Sequence, residues 1–291
     1  LDQLLRALVA GTTNASIYAL IAFSLILVFR GSGVLNFGAG YVATIGGLVF
    51  ADLFGLRGGW AGVILAALAG AAIGAIVYLL LVRFAMRRKA GHIEIALMTL
   101  GVGLVLYYLA GVFWPKRSIT AEPLIAGSQQ LGNVVISNQR ILMVVASIVI
   151  LGVLILLIEK SPLGWALQAV AFDRTAAGHY GINVTALLLG TWALGGALAA
   201  TAGALITPTT SISRDLGLPL VLIGLAAAVV GGMGSLYGPL IGAVIVGLSE
   251  ALFVVYVSSA FAGMFSFLLL LIVLIVRPQG ILSGRTVVLR T

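Results

Sequence analysis

Few residues in this sequence could do chemistry on their own. Among 291 residues there are two histidines, eight carboxylates and no cysteine. Disulfides and thiolate metal sites are therefore excluded. Glu250 is the only acidic residue well inside a long apolar run, where a charge costs on the order of 3 kcal/mol. It has three readings: it faces a polar passage or gate, pairs with a neighbouring group or subunit, or sits close enough to an interface to be wet. Asn36 stands between Gly33 and Gly38 and either caps a helix or lines a path, with Gly38 and Tyr41 beside it. Thr99, Thr191 and Thr201 lie in apolar runs. Their hydroxyls satisfy helix carbonyls or touch a solute.

Catalytic constellations are poorly served. Gly232-Met233-Gly234-Ser235 has only a superficial likeness to a Gly-x-Ser-Gly nucleophile motif, because the serine falls one place late. His92 and His179 both fall on one aqueous side in the topology below, so neither forms an intramembrane dyad and metal ligation is not expected. A Gly-Asp motif of the intramembrane aspartyl type is absent. So is Gly-x-x-x-x-Gly-Lys-Ser/Thr, and with it any P-loop to cradle nucleotide phosphates. The chain is not expected to be an enzyme or to bind a cofactor.

The elements that hold these residues are dictated by polarity. Hydrophobic residues make up 62% and charged residues 8%, with a mean hydropathy of +1.22. Soluble domains carry roughly a quarter charged residues. A chain this apolar cannot cover itself with polar groups, so lipid is its solvent. Glycine is abundant, at 38 residues, and sits inside apolar runs, where it permits close helix approach or a helix break. The fold class expected is an all-α polytopic membrane protein, a single transmembrane domain over residues 1–291.

A membrane-crossing helix needs ~20 mostly apolar residues. Charges and turn residues divide the chain at about that spacing into Leu8–Phe29, Val34–Phe54, Trp60–Val82, Ile93–Trp114, Ile141–Ile158, Thr185–Ile206, Leu216–Gly232, Leu236–Ser258 and Ala260–Val276. The stretch from Leu216 to Val276 divides less cleanly, as three short spans or as one span plus a re-entrant pair, so eight or nine spans are expected. The first segment is too long for a signal peptide's apolar region and no small-residue cleavage site follows it, which makes it a permanent span. The chain opens on Leu1 rather than Met, which leaves room for native residues before it.

Orientation follows the basic residues. Arg83, Arg87, Arg88 and Lys89 mark a cytoplasmic loop. Alternation then puts the Arg30 turn, residues 159–184 and the tail from Arg277 inside, and the N-terminus, the Arg57 turn, Pro115–Arg140 and the Arg214 turn outside. The net charge of +8 is thus loop charge scattered at span ends, and no nucleic-acid partner is expected. Gly58-Gly59-Trp60-Ala61-Gly62 followed by Ala66-Ala67 can be laid over Gly234-Ser235-Leu236-Tyr237-Gly238 followed by Gly242-Ala243. In the expected topology the two copies enter from opposite sides, as in an inverted repeat with broken helices. Shared glycine-rich composition is the alternative explanation.

Residues 159–184, EKSPLGWALQAVAFDRTAAGHYGINV, form the longest inside connection. Pro162 and Gly164 give a turn, Trp165 to Ala177 has helix-forming composition, Asp173 and Arg174 punctuate it, and Gly181 closes it. Its alanines are poor at holding a lipid surface, and small side chains permit close docking of a soluble partner.

Here the sequence resembles the coupling loop of ABC-importer permeases: small residue, acidic residue, Ala-Ala and Gly-Ile. Asn14-Ala15-Ser16-Ile17-Tyr18-Ala19-Leu20-Ile21-Ala22 is similar to the first-span signature of the LivH-type branched-chain amino acid permeases. Gly33-Val34-Leu35-Asn36-Phe37-Gly38-Ala39-Gly40 is similar to their Asn-Phe-Ala-His-Gly segment, Val230-Gly231-Gly232-Met233-Gly234-Ser235 with Gly238 and Gly242-Ala243 to their glycine-rich stretch, and Arg277-Pro278-Gln279-Gly280-Ile281 to their C-terminal Arg-Pro-Gln-Gly-Leu. The chain departs where the family usually continues Ala-His-Gly-Glu: Gly38-Ala39-Gly40-Tyr41 has neither the histidine nor the carboxylate.

The resemblance implies a permease subunit in the bacterial inner membrane, and the placement of basic residues puts its N-terminus outside and its C-terminus in the cytoplasm. It implies a second, LivM-like permease, two ABC ATPases that hold ATP and Mg, and an external solute-binding protein. Ala166, Ala169, Ala171, Asp173, Arg174, Ala177 and Gly181 would couple to the ATPases, and Asn36, Gly38, Tyr41, Thr99 and Glu250 are the candidates to line the solute path. The expected solute is small and net-neutral, a branched-chain amino acid first, with urea, a short amide or an aromatic acid as family alternatives. A channel or ion-coupled carrier is the competing class, but it has no need of the 159–184 loop.

Overall fold

The structure, a computed structural model, describes residues 2–57, 59–115, 118–132, 134–258, 261–276 and 280–282. The tail from residue 283, most of the Arg277–Ile281 motif and Gly58 of the repeat lie outside the described residues. Helix dominates. In chain order come α1 (Asp2–Ser32), α2 (Ala39–Arg57), α3 (Gly59–Val77), a π-helical stretch (Tyr78–Val82), α4 (Arg83–Arg87) and α5 (His92–Phe113). A two-stranded antiparallel hairpin follows, β1 (Ser128–Leu131) and β2 (Val134–Ser137), with Ser128 opposite Ser137. Then come α6 (Asn138–Lys160), α7 (Pro162–Phe172), α8 (Arg174–His179), α9 (Val184–Ile206), a 3-10 turn (Arg214–Leu216), α10 (Gly217–Gly231), α11 (Gly238–Tyr256) and α12 (Ala262–Val276).

Each expected span falls on a helix, and among the described residues seven helical stretches are long and apolar enough to cross a bilayer by themselves. The exceptions are α2, whose apolar part is short, and α12, of 15 residues. Helix boundaries follow local chemistry. Ser137, Ser161 and Asn183 cap α6, α7 and α9 by accepting backbone N–H groups of Gln139, Leu163 and Ala186. Pro162 follows its cap in the first turn of α7, where a missing N–H costs nothing. Gly33, at φ 68°, turns the chain out of α1.

α1 is the central helix. Every residue from Ala15 to Val28 is buried, so it is apolar all round and enclosed by other helices. The most extensive helix pairs are α3 with α9 and α11 with α1. Both rest on backbone-to-backbone approach. A Cβ on Gly70 would fall 2.3 Å from the Gly196 carbonyl, and one on Gly247 would fall 2.7 Å from the Ala15 nitrogen. These pairs are equivalent if α1, α2, α3 and α5 correspond to α9, α10, α11 and α12; α2 on α9 then matches α10 on α1, and α2 on α5 matches α10 on α12. The relation is an inversion. The Ser24 hydroxyl donates to the Gly195 carbonyl at 2.8 Å while Gly31 lies against Leu188 and Thr191, so α1 and α9 run antiparallel. The same correspondence sets α3 on α11, in line with the overlay of their glycine-rich starts.

Two sequence expectations are refined. Val34–Phe54 is not helical throughout: α2 starts at Ala39, and residues 33–38 are irregular. The single helix expected over Trp165–Ala177 is two helices, broken at Asp173, whose extended backbone and Oδ1 cap start α8.

Candidate solute passage and coupling element

Residues 33–38 do not cross over the end of the bundle. They fold back along α5. Gly33 lies beside the His92 imidazole at the start of α5, the Phe37 amide donates to Thr99 Oγ1 at 3.0 Å, and Gly38 reaches Gly103. α2 therefore begins part-way through the bundle. The mirror arrangement starts from the hairpin end. Ile212 pairs with Ile119 through two backbone hydrogen bonds, Arg214 lies against Gly111, and α10 starts at Gly217. The first turns of α2 and α10 thus meet, with Tyr41 wedged between Gly103 and Gly217. A Cβ on either glycine would fall 2.4 Å from the ring. Two interrupted helices with their positive ends converging inside an inverted repeat is an arrangement used to hold a solute near the midplane.

Four of the expected path residues come together here. Asn36 is buried and its Oδ1 accepts from the Gly38 amide at 3.1 Å, so it fixes the turn into α2. Thr99 donates to the Ala96 carbonyl at 2.7 Å and accepts from Phe37, tying α5 to the irregular segment. Tyr41 is buried and perpendicular to Tyr107, with ring centroids 6.4 Å apart. Glu250 is elsewhere. It is buried between α11 and α1, where its Oε2 accepts from the Tyr18 hydroxyl at 2.8 Å. Thr191 and Thr201 donate to the carbonyls of Leu188 and Ala197 within α9.

The loop over 159–184 forms a shelf across the opposite end of the bundle from the hairpin. Val170 and Ala177 are buried in one cluster with Val28, Val34, Ile95 and Trp192. Ala166 and Ala169 are half-buried, so most of the alanines face the bundle. Ala171 is exposed, and the outward surface also carries Leu163, Trp165, Phe172 and Tyr180. Asp173 is occupied in capping α8, its Oδ1 accepting from Thr175 N at 2.7 Å and Ala176 N at 3.0 Å. Arg174, expected at the rim of a docking surface, is turned inward and donates to the Ser32 carbonyl. Burial lowers its pKa from the ordinary value, although an arginine stays charged throughout the physiological range. Gly181 takes the left-handed conformation, φ 85°, that ends the shelf.

Three features were not anticipated from sequence. Tyr237, before α11, donates to Glu159 Oε2 at 2.8 Å, which locks the end of α6 to the α10–α11 turn and raises the phenol pKa. Arg214 and Asp215 both engage Tyr107 of α5. The outward aromatic surface of α7, Trp165 and Phe172, does not follow from its alanine-rich composition. In each case the residue type was visible but its facing was not.

An inverted repeat of membrane helices, with broken helices converging inside and a helical shelf at one end, defines a polytopic membrane transport protein. Residues 7–274 match the family described as the permease component of the branched-chain amino acid transport system, and the chain belongs to that family. It is 30% identical to the high-affinity branched-chain amino acid transport system permease protein LivH of Escherichia coli, over 96% of this chain and 95% of the relative. It is 30% identical to the permease protein BraD of Pseudomonas aeruginosa over the same shares. A probable LivH permease of Methanocaldococcus jannaschii is 32% identical over 92% of this chain and 89% of that protein. No solved structure matches.

Proposed function

We propose that this chain is a membrane-spanning subunit of an ATP-binding-cassette importer that moves branched-chain amino acids across the bacterial inner membrane. The observation that carries the reading is its end-to-end likeness to permeases named for that transport, over 96% of its length. The geometry supports it with a meeting of broken helices inside the bundle and a shelf of the kind an external motor can move.

In this reading the chain hydrolyses nothing. Two ATPase subunits bind ATP and Mg, a second LivM-like permease completes the passage, and an external binding protein delivers solute. The shelf of α7 and α8 faces the cytoplasm, as do Arg83–Lys89 and the C-terminus; the hairpin and the N-terminus lie outside. ATP binding draws the ATPases together and displaces the shelf. Arg174 passes that displacement to Ser32, and so to the segment 33–38 that sets the start of α2 and Tyr41. Alternating access results when the shelf favours one of two arrangements of the converging helices.

Co-expression of a tagged chain with the ATPases and second permease is the test. Recovery of a complex with one copy of each permease and two ATPases is expected. Recovery of this chain alone, with uptake indifferent to loss of the ATPase P-loop lysine, would contradict the reading.

A further inference from the structure

We infer that Tyr107, Arg214 and Asp215 form a binding site for the two charges of a zwitterionic α-amino acid, on the hairpin side of Tyr41. The inference rests on the importer reading and names where its solute is recognised within the membrane subunit.

The first observation is the arrangement. Tyr107 of α5 holds both charges at once: its phenol donates to Asp215 Oδ1 at 3.0 Å, and the Arg214 guanidinium carbon stands 5.1 Å from the centre of its ring. One tyrosine therefore spaces a cation and an anion on a fixed platform. Tyr108 meets Tyr107 edge to face at 5.3 Å, and Tyr41 meets it at 6.4 Å. The platform is thus continuous with the ring wedged between the broken helices.

The second observation is depth. Tyr107 lies seven residues before Trp114 on α5 and its continuation, so its Cα is about 10 Å further into the bundle at the helical rise per residue. Tryptophan marks the membrane interface. Arginine can reach water from such a depth by extending its side chain. An aspartate cannot, and an exposed carboxylate facing lipid there would be costly. Arg214 and Asp215 are nonetheless both exposed. They are also rare: between Arg174 and Arg277 the sequence holds three charged residues, these two and Glu250. The Arg214 guanidinium reaches back to Gly111, a turn from Trp114, while Asp215 is held on the Tyr107 hydroxyl; an exposed carboxylate there points to a polar passage rather than lipid.

The third observation is chemical complementarity. A guanidinium takes a carboxylate in a forked pair of hydrogen bonds, and a carboxylate takes an ammonium. A free α-amino acid offers both charges a short distance apart. Around the pair, Leu104, Tyr108 and Leu218 are exposed apolar surface for its side chain. Urea or an amide has no net charge at either end and gains little from this platform, so the site favours the amino acid.

The competing occupant is the external binding protein, whose rim charges could dock on the same two residues. The complete importer, reconstituted in liposomes with its binding protein, separates the possibilities. Asp215→Asn and Arg214→Gln should each lower amino-acid uptake at least tenfold at saturating binding protein, while capture of the binding protein by the complex changes less than twofold. Tyr107→Phe, which keeps the ring and loses only the hydroxyl, should lower uptake by a smaller factor. Uptake unchanged in all three overturns the site. Uptake and binding-protein capture falling together assigns the pair to docking and also overturns it. If a charge variant fails to assemble, Tyr107→Phe decides alone, unchanged uptake being the negative result. Failure of the unmodified importer to move any amino acid would instead sink the importer reading.

Discussion

The Arg174 guanidinium donates to the main-chain carbonyl of Ser32, the last residue of α1. A cation at a helix C-terminus meets both the unsatisfied carbonyls and the negative end of the dipole. Ser32 is followed at once by Gly33 and the segment that positions α2, so this side chain ties the shelf to that segment beside the packing of Val170 and Ala177 with Val28 and Val34. Replacing Arg174 with Met keeps the aliphatic stem and removes a charged hydrogen bond of about 1.5–3 kcal/mol. The expected outcome is a complex that assembles with its ATPases and hydrolyses ATP but transports several-fold less. Arg174→Lys should recover part of the transport, because a point charge satisfies the carbonyl without the fork. The ratio of solute moved to ATP hydrolysed is the readout.

The two sides of the shelf should respond oppositely to bulk. Ala177 is 3% exposed and sits in the core cluster with Val170. Ala177→Trp should therefore overpack the bundle itself, costing roughly 1–3 kcal/mol or more and lowering the yield of folded permease. Ala171 faces outward. Ala171→Trp should leave yield unchanged and weaken ATPase association, and Trp165→Ala should do the same by removing an aromatic anchor. Detergent-solubilised yield and ATPase co-purification, measured side by side, distinguish the two.

The apolar segments were legible because hydrocarbon thickness dictates their length and charge is costly within them, and among the described residues seven of the helices are long and apolar enough to cross a bilayer. What lay beyond the sequence was where a helix stops inside an apolar run. Val34, Leu35 and Phe37 are as apolar as span residues, yet they are not helical. Gly33 adopts a positive φ, and the Asn36 side chain and Thr99 hydroxyl take over backbone groups that a helix would have used. That outcome depends on α5, a distant part of the chain. Composition set the 159–184 loop apart as rich in small residues but could not say which alanines face inward, since its apolar residues are distributed all around. Arg214 and Asp215 read as an ordinary turn between spans, because their depth beside Tyr107 is a tertiary fact.

Orientation can be checked directly in a chain without cysteine. Lys89→Cys, at the end holding the shelf, should be shielded from an impermeant thiol reagent in intact cells. Gln129→Cys, on the exposed hairpin, should react. Labelling at 89 and not at 129 would invert the topology and place the shelf outside, where no ATPase could reach it.

The buried Tyr18–Glu250 contact joins α1 to α11 beside the Gly247–Ala15 approach. Tyr18→Phe removes the donor and leaves the carboxylate without that bond, so a destabilisation of about 1–3 kcal/mol is expected. Thermal stability in detergent should fall while the solute affinity of uptake stays constant. A changed affinity at unchanged stability would move Glu250 into the solute path.

The central claim is tested most directly by uptake of a labelled branched-chain amino acid into liposomes holding this chain, its second permease and two ATPases. Accumulation should require both ATP on the ATPase side and solute-loaded binding protein on the other, and it should stop when the P-loop lysine of the ATPases is replaced. Uptake that proceeds without ATP or without the ATPases would show a self-sufficient carrier or channel, and would contradict the assignment of this chain as an importer's permease.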